Sequence, residues 1–311
     1  MKMGKTAFIF PGQGAQYVGM AKEFYDEFPA CREVFETASE ASGLDIPALC
    51  FEENKKLDIT QYTQICMLTA EAAILKAVQD AGYTPDVTAG LSLGEYGALL
   101  ASGVMDWKDA FALVRKRGIY MQKAVPKGGA MAAVLGLHAS AIEDICRRTK
   151  GQVSVANYNC PGQIVITGEE EAVAAAGEAC IKAGAKRALP LKVSGPFHSP
   201  MLESAGEKLG AELEKVEIRS FSIPYLSNVL ADYVTGPDSV KDLLRLQVSS
   251  PVRWQQSVEK MIGDGVDEFV EIGPGRTLSG FVRKINRNIS VSNIDRLEDF
   301  RKFTEAHPVT A

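Results

Sequence analysis

The chain has 311 residues, 46% apolar and 23% charged, enough to bury the core of one large domain or two smaller ones. Its 34 Lys and Arg against 39 Asp and Glu leave a formal net charge of −5, which argues against general binding to nucleic acid or to a membrane surface. Six cysteines without a Cys-x-x-Cys pair argue against a zinc knuckle or a disulfide scaffold; buried reduced thiols in a cytoplasmic protein are expected.

The apolar run after Met1–Lys5 is too short for a signal-peptide core, and no stretch approaches about 18 consecutive apolar residues. Thr6–Phe10 reads as a buried strand cut off by Pro11-Gly12-Gln13-Gly14. Gly19–Phe28 and Arg32–Ala41 have helical spacing, and Asp58 is the expected cap of a long helix running through Asp80. A short apolar stretch, Thr88–Leu91, precedes helix-compatible sequence to Ala101. A further helix from Trp107 to Ala124 stops at Val125-Pro126-Lys127-Gly128-Gly129.

Beyond that breaker the rhythm changes. Ala130–Leu137, Val153–Tyr158, Gln163–Thr167 and Arg187–Val193 read as strands, with helices at Ser140–Arg148 and Glu169–Ala183. The order βαββαβ is that of a small ferredoxin-like unit, ending at Ser194-Gly195-Pro196. Then follow helices at Met201–Val216, Ser239–Gln247, Val252–Gly263 and Thr277–Ile285, a terminal helix, and strands near Ile223–Ser227, Glu268–Ile272 and Ile289–Ile294. Alternating strands and helices on both sides of the insert predict a mostly parallel α/β sheet.

Gly90-Leu91-Ser92-Leu93-Gly94 matches G-x-S-x-G between a strand and a helix. Such a turn presents the serine hydroxyl, its glycines relieve crowding, and the helix N-terminus favours a developing oxyanion. The same pattern also describes an ordinary turn whose serine caps a helix. A serine needs a base, and the chain has three histidines, His138, His198 and His307. His138 and His307 read as exposed surface residues; His198 sits in the rigid loop where the insert rejoins the main domain. The expected architecture is a large α/β-hydrolase-like domain, residues 1–128 and 197–311, with a ferredoxin-like subdomain at 129–196. Gly12-Gln13-Gly14 lacks the third glycine of a dinucleotide fingerprint, since that position is Tyr17, and neither a phosphate-binding loop nor a metal-ligand cluster appears.

Six segments in order resemble the acyltransferase family of fatty acid and polyketide synthesis. They are Phe10–Gln16, Gly90–Tyr96, Arg117-Gly118 with Met121-Gln122, Asn157–Gln163 with Ile166–Gly168, Pro196–Ser199, and Glu271–Gly275. The family's turn usually carries histidine where this sequence has Leu91, which predicts a local packing change and more weight on His198. The resemblance implies Ser92 as nucleophile, His198 as general base and then acid, and the backbone N–H groups of Gln13 and Leu93 as the oxyanion hole. It further implies that the Gln247 carbonyl orients the histidine, and that Phe197, Asn157 and Asn159 line the substrate pocket.

By the same resemblance Arg117 holds the free carboxylate of a malonyl group, a task suited to a planar guanidinium. On composition alone, Arg115-Lys116-Arg117 reads as a solvated helix face; the motif reverses that reading. The implied reaction moves malonyl from malonyl-CoA to the phosphopantetheine thiol of acyl carrier protein, with no cofactor beyond the CoA of the donor. A monomer is expected. Because carrier proteins are acidic, Lys186, Arg187, Lys192, Arg283 and Lys284 are the candidate docking cations. A polyketide-pathway acyltransferase, a serine thioesterase or hydrolase, and an inactive carrier-binding subunit are the alternatives.

Overall fold

The computed structural model describes residues 4–193 and 195–308; Ser194, in the expected junction, lies outside the described residues. In sequence order the elements are β1 (Lys5–Phe10), α1 (Lys22–Glu27), α2 (Pro29–Ser42), α3 (Ile46–Phe51), α4 (Thr60–Asp80), β2 (Val87–Gly90), α5 (Gly94–Ser102) and α6 (Trp107–Ala124). Next come β3 (Gly129–Leu135), α7 (Ala139–Arg148), β4 (Val153–Cys160), β5 (Gln163–Glu169), α8 (Glu170–Lys182) and β6 (Arg187–Pro190). The remainder is α9 (Glu203–Leu213), β7 (Leu226–Ser227), β8 (Asp232–Tyr233), α10 (Val240–Gln247), α11 (Trp254–Gly263), β9 (Val266–Ile272), α12 (Thr277–Ile285), β10 (Ser290–Ile294) and α13 (Leu297–Ala306).

A parallel sheet of order β10-β9-β1-β2 forms the centre. The two-residue period of β1 splits its side chains between two cores. Phe8 and Phe10 join Ile65, Leu99 and Phe111 on one face, while Ala7 and Ile9 join Trp254, Val258 and Phe269 on the other. Helices therefore cover both faces, as parallel strands require. The second sheet is antiparallel, of order β4-β5-β3-β6, with α7 and α8 packed over it and its own core of Val134, Ile142, Ile166 and Val173. The α/β class with a small antiparallel unit is thus the observed architecture.

Three local readings are corrected. Asp58 does not cap α4: Ile59 holds the N-cap position without a side-chain bond, and the Asp58 carboxylate instead accepts from Gln16 Nε2 at 3.0 Å. The strand expected over Arg187–Val193 ends at Pro190, with one further backbone bond from the Leu191 N–H to the Met131 carbonyl at 2.9 Å. The helix expected from Gly19 begins only at Lys22. An additional helix, α3, is capped by Asp45 Oδ1 on the Ala48 N–H at 3.0 Å, with Pro47 tolerated in its first turn.

Candidate active site

The β2–α5 turn brings the serine to the C-terminal edge of the parallel sheet. Ser92 has φ 56°, a left-handed conformation that costs a non-glycine residue about 1–3 kcal/mol. The flanking glycines permit it: a Cβ on Gly90 would lie 1.9 Å from the Gly94 carbonyl oxygen, and one on Gly94 would lie 2.1 Å from that of Phe10. Close packing of the turn against the end of β1 therefore excludes larger residues.

His198 arrives on the loop after β6, tied by Ser199 Oγ donating to the Pro196 carbonyl at 2.6 Å. It too is left-handed, φ 59°, so two of the four non-glycine residues with positive φ among those described are Ser92 and His198. Ser92 Oγ and His198 Nε2 are 2.7 Å apart. On the far side, His198 Nδ1 faces the carbonyl oxygens of Gln247 at 2.9 Å and Ser250 at 3.2 Å. Carbonyls only accept, so Nδ1 carries the proton and Nε2 is left to accept from the serine. Burial, and secondarily the Arg117 charge, lower the imidazole from its ordinary value to about 4, keeping it neutral near pH 7.

Arg117 is fully buried, not solvated. The cause is α6 packing closely on α4: a Cβ at Gly118 would meet the Gln61 Cα at 3.0 Å and the Thr60 carbonyl at 3.1 Å. The guanidinium donates to Gln64 Oε1 at 2.7 Å, Gln247 Oε1 at 2.9 Å and Ser92 Oγ at 3.3 Å, and lies over the Tyr96 ring. Among the described residues no carboxylate forms an ion pair with it; the buried Glu95 acts on it through space and is linked to it by Gln247, whose Nε2 donates to Glu95 Oε2 at 2.7 Å. Burial raises Glu95 to about 7. A buried cation with neutral partners is costly, and this one borders an open cavity beside the serine. That combination suits an incoming anion.

The cavity, of about 240 Å³, is lined by Ser92, His198 and Arg117 and by the other expected residues Gln13, Leu93, Phe197, Asn157 and Asn159. Among the described residues no backbone partner is taken by the N–H groups of Gln13 and Leu93. Leu91 also lines the cavity and packs on the loop after β1, where a Cβ on Gly12 would lie 2.9 Å from Leu91 Cδ2. Gln247 contributes more than its carbonyl, because its side chain also joins Arg117, the Ser92 carbonyl and Glu95. Gln64, Asn228 and Ser250 have no role in the sequence reading, and Glu95 enters it only within its motif; polar Gln64, one helical turn before Leu68 on α4, was the available signal for one of them.

Lys186, Arg187, Lys192, Arg283 and Lys284 are exposed. Arg283 donates to the Val291 carbonyl at 2.9 Å, and Lys284 to Gln163 Oε1 at 3.1 Å. His138 is exposed, but His307 is half-buried, bonded through Nε2 to Glu268 at 2.9 Å and stacked near Phe303, which corrects its expected surface position. All six cysteines are buried and free. Among the described residues no group of three or more His, Cys, Asp or Glu could hold a metal, and no helix is long and apolar enough to cross a membrane.

Residues 7–298 match the model of the acyl transferase domain. The protein is 46% identical over 304 residues to the malonyl CoA-acyl carrier protein transacylase of Bacillus subtilis, covering 95% of this chain and 96% of that protein. It superposes on the crystal structure of the corresponding transacylase from Clostridium perfringens with TM-score 0.94 and 45% identity, over 97% and 96% of the two chains. A further structure, 39% identical with TM-score 0.95 over 97% and 100% of the chains, is a malonyl-transacylase in complex with its type II polyketide acyl-carrier protein.

Proposed function

From the premise that this chain belongs to the acyl transferase family, among relatives that are malonyl CoA-acyl carrier protein transacylases, we propose how its residues perform that transfer. The enzyme is an acyl carrier protein S-malonyltransferase, moving malonyl from malonyl-CoA to the carrier thiol for fatty acid synthesis. The observation that carries the residue assignment is the 2.7 Å contact between Ser92 Oγ and His198 Nε2 beside a buried arginine without a carboxylate partner.

Ser92 Oγ attacks the thioester carbonyl as its proton passes to His198 Nε2. The oxyanion so formed is held by the N–H groups of Gln13 and Leu93, each such donor being worth about 100- to 1,000-fold in rate. The carbon–sulfur bond then breaks, CoA leaves with the proton from His198, and malonyl remains esterified to Ser92. In the second half the carrier's thiol gives its proton to His198, its sulfur attacks the ester, and Ser92 recovers the proton as it leaves. The two carbonyls on Nδ1 stabilise the imidazolium in both halves, the task a carboxylate performs in a triad. Throughout, the malonyl carboxylate sits on Arg117, and Phe197 restricts the space beside the base. Six buried thiols suit a reducing cytoplasmic setting, and a monomer is proposed.

Mass spectrometry of the Ser92 peptide after mixing with malonyl-, acetyl- or methylmalonyl-CoA tests the assignment. A malonyl adduct dominating the other two is the expected result; a malonyl adduct on any other residue refutes the role of Ser92.

Docking of an acidic carrier on an acidic enzyme requires local cations, and the exposed Lys186, Arg187 and Lys192 on and beside the edge strand β6, with Arg283 and Lys284 on α12, are proposed for it. Leu191 in the same segment lines the cavity, so this surface adjoins the route to Ser92. Reversing Lys186 and Arg187 to Glu is expected to raise KM for the carrier roughly tenfold while sparing acylation by malonyl-CoA. Unchanged carrier kinetics would remove the two residues from the docking surface.

A further inference from the structure

We propose that Asn228 is a positioning residue for the nucleophile, its carboxamide clamping the backbone on both sides of Leu91 in the Ser92 turn. Asn228 Oδ1 accepts from the Ser92 N–H at 2.6 Å, and Nδ2 donates to the Gly90 carbonyl at 2.6 Å. A primary amide presents one acceptor and two donors on a planar group, so it meets a backbone carbonyl and a backbone N–H as a neighbouring strand would.

The topology explains why a side chain is needed at this point. The segment leading into β7 runs parallel to β2: the Thr88 N–H donates to the Pro224 carbonyl at 2.9 Å, and Tyr225 bridges to Thr88. After Ser227 the backbone turns away, the Ser227 carbonyl accepting from the Ala231 N–H at 2.9 Å. The Asn228 amide thus continues the pairing along β2 where the backbone of its neighbour stops. Asn228 is itself immobilised, being 1% exposed, with its N–H on Glu95 Oε2 at 3.1 Å and its carbonyl accepting from the Arg253 N–H at 3.1 Å. Ser92 holds a left-handed conformation that the surroundings must impose. The clamp keeps its Oγ on His198 Nε2, and a misplacement of about 1 Å at such a centre is worth about 100-fold in rate.

The inference rests on Ser92 being the nucleophile, so the test uses two probes: malonyl-CoA, and a fluorophosphonate that labels a base-activated serine without needing a malonyl site. Asn228→Ala is expected to slow single-turnover acylation of Ser92 about 100-fold. The malonyl-CoA concentration giving half the maximal rate should stay within threefold, and labelling by the fluorophosphonate should slow in parallel. Asn228→Asp, which keeps an oxygen for the Ser92 N–H but loses the donor to Gly90, should fall between alanine and wild type. If the alanine variant does not fold, the aspartate variant carries the test and must be slower than wild type in both reactions.

A wild-type rate in the folded variants overturns the proposal. So does a loss of labelling amplitude, matching an unfolded fraction, with an unchanged rate constant, because that is what a merely structural residue would give. Fluorophosphonate labelling of wild-type Ser92 without a malonyl adduct would instead fault the functional reading, and the clamp then stands or falls on whether that labelling slows in the Asn228 variants.

Discussion

His198→Asn is expected to slow acylation of Ser92 by malonyl-CoA on the order of 100- to 10,000-fold, toward the upper end of what a general base contributes. Asparagine is the preferable replacement because His198 is left-handed at φ 59°, where asparagine is tolerated and alanine adds strain. The loss should reside in the rate and not in the fold, since the Ser199–Pro196 bond that shapes the loop does not involve the ring. Among the described residues nothing else replaces the proposed base: Arg117, the other side chain on Ser92 Oγ, only donates. Stopped-flow acylation at saturating malonyl-CoA measures the effect, and a loss below tenfold would dismiss His198 as base.

The wild-type pH profile follows from the same geometry. Protonation removes the base, and burial together with Arg117 lowers His198 to about 4. The neutral form therefore persists below pH 6.5, where an ordinary imidazole would already be charged. The acylation rate is accordingly expected to hold between pH 8 and roughly 5.5 and to fall only toward pH 4. Glu95, raised to about 7 by burial, changes charge inside that window. A shoulder near pH 7 that vanishes in Glu95→Gln belongs to that carboxyl, whereas an acid limb at 6.5 that survives it would contradict a depressed His198.

What was legible beforehand was local or ordered along the sequence. Ser92 announces itself by a strand, two glycines and a helix within a few residues, and the small antiparallel sheet by the order of its elements. His198 was singled out by the scarcity of histidines and its rigid loop. Asn228, by contrast, lies 136 residues from the backbone it clamps. Nothing near it in sequence marks it, because its role depends on where β7 stops beside β2. Glu95 was visible as part of a motif but without a role, since its partners Gln247 and Asn228 come from other elements. Gln64 shows the physical signal that was available: a polar side chain facing inward on a buried helix must find a partner, and it finds Arg117. Asp58 illustrates the opposite error, a good capping residue placed one position too early and engaged by Gln16.

Arg117→Ala is expected to weaken malonyl transfer by about 2–5 kcal/mol, which corresponds to roughly 30- to 4,000-fold, while leaving acylation by acetyl-CoA little changed. The reason lies in what surrounds the guanidinium. Gln64, Gln247 and the Ser92 hydroxyl satisfy N–H groups without neutralising charge, Tyr96 is a neutral neighbour that offers its ring face, and among the described residues Nε has no partner. Such a cation gains most from an anion that arrives desolvated, so binding energy is directed at a substrate carrying a carboxylate and withheld from one lacking it. Arg117→Lys keeps the charge but not the planar fork, and should fall between alanine and wild type with malonyl-CoA. The decisive quantity is the ratio of malonyl to acetyl acylation rates in each variant. If alanine depresses both substrates equally, Arg117 supports Ser92 and does not select the acyl group. A ratio that collapses toward unity assigns the selection to this one buried charge, because the nucleophile and its base are common to both reactions.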